Sequence, residues 1–431
     1  MLRTQSNYLR LGKEQYVLVS KLCRYSKNMY NVALYNIRQQ YILNKTYIPY
    51  KDNYHLCKEN ENYKLLNTDI AQQTMKNVDE AMRAFFGLLK LKKDGKYQEK
   101  VTLPGYLEKD GLYIITFPIR DCYIKIDGTI QIPLSNQFKK DNGIKENCLR
   151  FKIPERICDK PLKEVSIVPV HDGKTFKINY VYDDEPVNAE LDYNQYMSID
   201  LGLDNFATII ESVSGTATII DGKYIKSINR YWNKEMSRLQ SIKDLQKIDG
   251  ITDRQSRITI KRNNRINEFL NRSVNYIIKT CIERKIGNIV VGELREIKRE
   301  INIGRRNNQN FVGIPYYIFK GKLRAKCELF GIRYKEQDEA YTSRTDALAL
   351  DEIKDQPYGK SRRIKRGLYR SITGVVINAD VNGSLNILRK VANESLVRRI
   401  IGSGLVNRPE RKRLSYESKL LFKPRPKGRG S

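Results

Sequence analysis

Residues 197–204 read Met197-Ser-Ile-Asp200-Leu-Gly202-Leu-Asp204, an apolar run that ends in an acid with a glycine two residues on. Such a run predicts a buried strand, and the glycine turn would hold Asp200 rigidly over the sheet edge. Outward from it, Ala207-Thr-Ile-Ile210, Thr216-Ala-Thr-Ile-Ile220 and Asn288-Ile-Val-Val291 predict further strands. Ahead of the last of these, Ile266, Phe269, Leu270, Val274, Ile277, Ile278 and Cys281 recur at helical spacing, in a helix expected to stop at Gly287. A helix near 315–330, a strand Ile332-Arg-Tyr-Lys-Glu336 and a last helix starting around Asn382 continue the alternation, which predicts an α/β domain.

A second stretch repeats the first theme. In Ile377-Asn-Ala-Asp380-Val-Asn382-Gly383 an apolar run again leads into an acid, here where a helix begins. Two rigid carboxylates suit hard cations such as Mg²⁺, which take oxygen ligands. A pair of such ions activates water and stabilises the leaving oxygen of a phosphodiester without any histidine. The rest of the composition favours that chemistry, because the chain has only two histidines, and its seven cysteines are scattered without a C-x-x-C pair. Disulfide frameworks, zinc ribbons and catalysis built on His or Cys are therefore not expected.

Lys plus Arg number 79 against 49 Asp plus Glu in 431 residues, a net charge of +30. This excess is spread along the chain and points to a long polyanion, with nucleic acid as the leading partner. No apolar run is long enough for a membrane span, and Met1-Leu2-Arg3-Thr4-Gln5 opens no apolar leader, so an intracellular protein without membrane partners is expected. Length suggests about three domains. An apolar stripe from Val19 to Ile37 predicts one amphipathic helix over 14–41, and Ala71, Met75, Val78, Met82, Phe85 and Leu89 predict another after the N-cap candidates Asn67 and Thr68. Beyond Pro104-Gly105, β-prone runs at 112–117, 123–126, 129–132, 149–153 and 177–182 predict a small barrel or sheet. The basic segment from Arg408 onward predicts a mostly disordered tail. Two basic blocks, Arg305-Arg306-Asn-Asn-Gln-Asn310 and Lys360-Ser-Arg-Arg363-Ile-Lys365-Arg366, suit phosphate contacts, and tyrosines near charge, such as Tyr25, Tyr30 and Tyr369, offer stacking faces.

Several stretches together resemble one family. They are Ser198-Ile-Asp200-Leu-Gly-Leu-Asp-Asn-Phe-Ala-Thr208, the segment INIGRRNNQNFVGIP at 301–315, Ala340-Tyr-Thr-Ser343, Arg363-Ile-Lys-Arg-Gly-Leu-Tyr369, Asn378-Ala-Asp380-Val-Asn-Gly-Ser-Leu-Asn-Ile387 and Lys27-Asn-Met-Tyr-Asn-Val-Ala-Leu-Tyr-Asn36. The chain is similar to the TnpB family, transposon-encoded RNA-guided DNA nucleases related to the type V CRISPR effectors, in a branch without the usual zinc ribbon. The resemblance implies an α+β multidomain chain. A helical recognition module (15–100) would interrupt a β-barrel wedge domain (1–14 and 101–195). A RuvC-like nuclease of the RNase H fold (196–395) would follow, with 342–375 in place of the zinc ribbon, and then a basic tail (396–431).

It further implies Asp200 as first acid and Asp380 as last, Mg²⁺ or Mn²⁺ as cofactor, no zinc, and a guide RNA from the protein's own locus. Double-stranded target DNA next to a short flanking motif would be the second partner, and the prokaryotic cytoplasm, at the nucleoid, the place of action. Arg305, Arg306, Arg363, Lys365, Arg366 and Asn382 become candidate nucleic-acid contacts. One departure matters. The family's middle acid, a glutamate, falls where this chain has Gly292. Glu293 is adjacent but belongs to the opposite face of a regular strand. Glu339, at the end of the next predicted strand, can reach into the room that Gly292 leaves, and is favoured over Glu293 and over an inactive site. The alternatives in function are a nuclease-dead RNA-guided DNA-binding repressor and a guide-independent, transposition-associated nucleic-acid-binding protein.

Overall fold

The computed structural model describes residues 1–293, 313–354, 363–365 and 367–414. The chain divides into one unit of Met1–Asp184 with Gly250–Ser256 and another of Glu185–Asp249 with Arg257–Ser431.

In the first unit, strand β1 (Leu2–Tyr8) precedes four helices: α1 (Lys13–Asn44), α2 (Tyr50–Cys57), α3 (Glu61–Leu65) and α4 (Thr68–Lys93). The stripe Val19, Leu22, Cys23, Met29, Ala33, Leu34 and Ile37 is the buried face of α1, as residues three and four apart share one side of a helix. Asn67 caps α4 by accepting from the Asp69 amide at 3.0 Å. Pro49 and Asn60 open the two short helices between them.

The strands of this unit are β2 (Ile115–Pro118), β3 (Tyr123–Ile124), β4 (Thr129–Pro133), β5 (Cys148–Lys152), β6 (Leu162–Val170) and β7 (Thr175–Asp183), with helix α5 (Asn136–Asn142) between β4 and β5. They form two open sheets, β1-β7-β6-β2 and β3-β4-β5, in line with the sheet alternative of the residue pattern; the barrel that the resemblance implies is not closed among the described residues. Among the described residues β1 pairs only with β7 and β2 only with β6, so the four-stranded sheet keeps two free edges. Strand β6 has no counterpart in the sequence expectation, because Lys163, Glu164 and Pro169 interrupt its apolar pattern.

The second unit contains β8 (Asp192–Leu201), β9 (Asn205–Glu211), β10 (Ala217–Asp221), α6 (Lys223–Leu245) and α7 (Asp253–Glu283, whose first turn belongs to the first unit). Then come β11 (Ile286–Glu293), α8 (Tyr316–Leu329), β12 (Arg333–Asp338), β13 (Arg363–Lys365), β14 (Leu368–Arg370), β15 (Val376–Asn378), α9 (Ala379–Arg389), α10 (Glu394–Gly402) and β16 (Glu410–Lys412). The main sheet runs β12-β11-β8-β9-β10-β16. Strands β8, β9 and β10 are antiparallel in succession, whereas β11 is parallel to both β8 and β12.

Both faces of this sheet are covered, which is why β9 is buried along its whole length and β11 as far as Gly292. Met197, Ile199, Leu201, Ile289 and Val291 share a core with α7 and α8, while Ile210, Ala217 and Ile219 share another with α9 and α10.

Two boundaries differ from expectation. Helix α7 ends before Lys285, which takes the left-handed conformation at φ 55°, and Gly287 lies inside β11, where a Cβ would meet the Asp192 carbonyl oxygen at 2.8 Å. The basic C-terminal segment is ordered at least to residue 414. Leu396, Val397 and Ile400 bury one side of α10, and β16 adds to the sheet edge in parallel with β10. Among the described residues no helix is long and apolar enough to cross a membrane.

Candidate active site

Alternation along β8 decides where its acid points. Met197, Ile199 and Leu201 face the core under α7 and α8, so Ser198 and Asp200 face the opposite side. There Ser198 Oγ lies 2.9 Å from Ser384 Oγ of α9. A Cβ on Gly383 would come within 2.8 Å of Asp200 Oδ2, so the missing side chain at Gly383 is what lets α9 ride over the carboxylate.

The same alternation on β11 puts Gly292 on the Asp200 side and Glu293 on the other, because Ile289 and Val291 belong to the α7–α8 core. Val291 pairs with Ile199, so Gly292 stands level with Asp200 on the neighbouring strand. The space above Gly292 is taken by Glu339, which follows the end of β12. A Cβ at 292 would lie 1.9 Å from Glu339 Oε1. This oxygen is buried and has no hydrogen-bond partner among the described residues.

Glu339 is held by its backbone. Its carbonyl accepts from the Thr342 amide (3.1 Å) and Thr342 Oγ1 (2.8 Å). Lys390 Nζ donates to the flanking carbonyls of Asp338 and Ala340, both at 2.9 Å. Asn386 donates to the Thr342 and Thr345 carbonyls, and Asn382 to that of Thr345. One helix, α9, therefore covers Asp200, carries Asp380 in its first turn and anchors the loop of Glu339 at its far end.

Asp380 is placed by Asn378, whose side chain accepts from the Asp380 and Val381 amides and so caps α9. Its Oδ2 accepts from Asn205 Nδ2 at 2.7 Å, and Asn205 Oδ1 in turn accepts from Arg411 of β16 at 3.1 Å.

Burial, followed by the negative charges of Glu339 and Asp380, pushes the Asp200 carboxyl well above the usual carboxylate range, with Arg363 pulling the other way. Burial also raises Glu339, up to about 7, helped by Asp338 and Glu293 and opposed by Lys320 and Lys390. A group of acids that repel one another, with a buried carboxylate oxygen lacking a partner and an all-oxygen set of candidate ligands, matches what a hard divalent cation requires. Among the described residues no three His, Cys, Asp or Glu side chains yet stand within joint reach of one ion.

Other expected site residues fall differently. Arg363 and Lys365 are exposed on β13, in the small sheet that leads into Asp380. Arg305, Arg306 and Arg366 lie outside the described residues. Asn382 is not a nucleic-acid contact in this structure: it is fully buried, and its side chain is spent on the Ala347 amide and the Thr345 carbonyl. Tyr30 and Tyr369 are likewise core residues and not stacking faces. Asp346, which was not among the expected site residues, is buried and accepts from the amides of Ala349 and Ile372, so it closes a turn. Asn205, Gly383 and Lys390 were missed as site residues. The first two lay inside motifs already singled out, and Lys390 carried no local signal.

Residues 179–298 match a family described as a probable transposase, and residues 316–387 match the Cas12f1-like TNB domain. The first match spans β8 to β11 and thus Asp200, and the second spans α8 to α9 and thus Glu339 and Asp380. A TnpB-like protein, ORF457 of Acidianus two-tailed virus, is 25% identical over 399 residues, covering 86% of this chain and 82% of that protein. Among solved structures, the cryo-EM structure of the Cas12f1–sgRNA–target DNA complex has a similar fold, with a TM-score of 0.55 at 17% identity over 87% of this chain and 83% of that one. The sequence relative, the two family matches and the shared fold agree with the motifs around Asp200 and Asp380 in making this chain similar to TnpB-like proteins.

Proposed function

We propose that this protein is an RNA-guided DNA endonuclease that hydrolyses target DNA at Asp200, Glu339 and Asp380. The observation that carries the reading is the seat of Glu339 over Gly292, level with Asp200, which supplies a third acid where a side chain at 292 would otherwise stand. The strand order β12-β11-β8-β9-β10, with β8 to β10 antiparallel and β11 and β12 parallel to β8, supports an RNase H-type, RuvC-like reading of the second unit. The similar Cas12f1 structure was solved with sgRNA and target DNA. The +30 charge suits a chain that must neutralise both. By the same likeness the strands of the first unit would act as the wedge and its helices as the recognition module.

In this reading Asp200 and Asp380 flank the scissile phosphate from β8 and α9, and Glu339 completes the set through its unpartnered Oε1. A divalent cation, when bound, supplies Lewis-acid activation of water and stabilises the leaving oxygen. The chain's own residues set the geometry. Gly383 lets α9 approach Asp200, Lys390 fixes the backbone on either side of Glu339, and Asn205 orients Asp380.

The test uses full-length protein with its locus-derived RNA and plasmid targets in Mg²⁺, scoring binding and cleavage together. Wild type and Glu293→Ala should cut. Asp200→Ala and Glu339→Ala should bind target without cutting. Cutting by Asp200→Ala would remove the site. Target binding by wild type without breaks in Mg²⁺ or Mn²⁺ would make the protein an RNA-guided binder.

A further inference from the structure

Away from the acids, helices α6 and α7 enclose a cavity of about 390 Å³ lined chiefly by Tyr224, Tyr231, Trp232, Lys261, Arg262 and Arg265. Its lining contains no acid. Trp232 is held in place because Nε1 donates to Thr259 Oγ1 at 3.1 Å, and the Arg262 guanidinium lies 5.2 Å from the ring centroid. Arg262 is itself pinned by bonds to Asn229 Oδ1 and the Gly313 carbonyl, both 2.9 Å. Tyr231, by contrast, is 59% exposed, and Lys261 and Arg265 are exposed and pair with no carboxylate among the described residues.

Rigid aromatic surface, exposed cations and room for one base with its sugar are the features that hold an unpaired nucleotide. The ring takes the base by stacking and the cations take the phosphate. A base within a duplex is already stacked and cannot enter. We propose that the α6–α7 cavity is a subsite for one unpaired nucleotide of a single-stranded nucleic acid, distinct from the acid site. The inference rests on the nucleic-acid reading above and adds where one strand is gripped. The nucleotide can come from the guide RNA or from a DNA strand displaced during pairing, and both present the same chemistry.

Trp232 is the chain's single tryptophan, so its emission reports on this cavity. Full-length protein freed of co-purified nucleic acid is titrated with a short oligouridylate, a short oligothymidylate and a duplex of the same length. Saturable quenching by single strands, and not by the duplex, is expected. Tyr231→Ala, and separately the pair Lys261→Ala with Arg265→Ala, should weaken it about tenfold, the scale of one lost stacking partner. Tyr231→Phe, which keeps the ring, should retain it. Stronger quenching by the ribo-oligomer assigns the subsite to guide RNA, and stronger quenching by the deoxy-oligomer to a DNA strand. Absence of saturable quenching, equal quenching by duplex, unchanged affinity in both sets of variants, or equal loss in Tyr231→Phe would overturn the proposal. Emission is read without guide, target or cation. Failure of cleavage in the plasmid test and failure of quenching here are therefore separate results.

Discussion

Gly292 and Glu339 share one space: a Cβ on the first would lie 1.9 Å from Oε1 of the second and 2.7 Å from its carboxyl carbon. The glycine is needed for what it leaves empty, since its backbone is ordinary extended strand. An acid can stand beside Asp200 from position 292 or from position 339, but not from both.

That exclusivity predicts the outcome of moving the acid. Gly292→Ala should displace Glu339 and reduce cutting by about a hundredfold or more, the upper range for disturbed supporting groups at a metal site. Gly292→Glu in the wild-type background should also cut poorly, because two side chains compete. Gly292→Glu combined with Glu339→Ala should recover activity. Single-turnover cleavage rates of the three variants decide it, and a double variant no better than Gly292→Glu alone would refute the shared-space argument.

Gly383 makes a second close approach. Alanine there would gain about 1 kcal/mol of helix propensity within α9. Its Cβ would press on Asp200 Oδ2 at 2.8 Å, and overpacking of this kind costs about 1–3 kcal/mol. Gly383→Ala should therefore shift the melting temperature only slightly while lowering cutting about ten- to hundredfold. Thermal melts beside cleavage rates would show whether the loss lies in the site or in the fold.

The raised affinity of Glu339 for a proton makes stability depend on pH. Its folded-state pKa stands at about 7 against an ordinary 4.5, so between those values the folded chain holds a proton that the unfolded chain has lost. The stabilisation is complete below 4.5 and disappears as pH rises through 7. Without divalent cation the melting temperature should fall across this window, and Glu339→Gln should flatten that part of the profile and melt higher at pH 8. Added Mg²⁺ should raise the wild-type melting temperature more at pH 8 than at pH 5.5. A profile identical in wild type and Glu339→Gln would contradict the assignment.

Lys390 and Asn386 separate positioning from stability. Lys390→Met removes the donor to the Asp338 and Ala340 carbonyls and should lower cutting about tenfold or more with little change in melting. Asn386 is fully buried and serves the Thr342 and Thr345 carbonyls. Asn386→Ala strands these acceptors and should cost about 1–3 kcal/mol in denaturant unfolding. Equal effects of the two substitutions on stability would refute the division.

Much of the local structure could be read directly. The stripe from Val19 to Ile37, the cap at Asn67 and the apolar runs leading into Asp200 and Asp380 are each set by side-chain period and by backbone groups that need partners within a few residues. Legibility failed where a signal was shared between roles. Gly287 read as a helix stop but serves a close approach within β11. Asn382 read as a polar contact at a helix start but ties α9 to the chain at 345–347. Residues 410–412 of the basic segment read as part of a disordered tail because they carry no apolar alternation, and they are held by pairing with β10 and by the bond from Arg411 to Asn205.

By itself the sequence determined the charge that calls for nucleic acid, the strand that ends in Asp200, the helix that begins at Asp380 and the absence of a side chain at 292. Only the tertiary structure shows which side chain fills that space. Glu339 fills the space over Gly292, on the Asp200 side of the sheet, because β11 lies between β8 and β12, because alternation turns Gly292 and not Glu293 toward α9, and because Lys390 grips the Glu339 loop. Periodicity specifies the face of each strand, whereas strand order and side-chain convergence arise only when the sheet is assembled and its helices are laid across it.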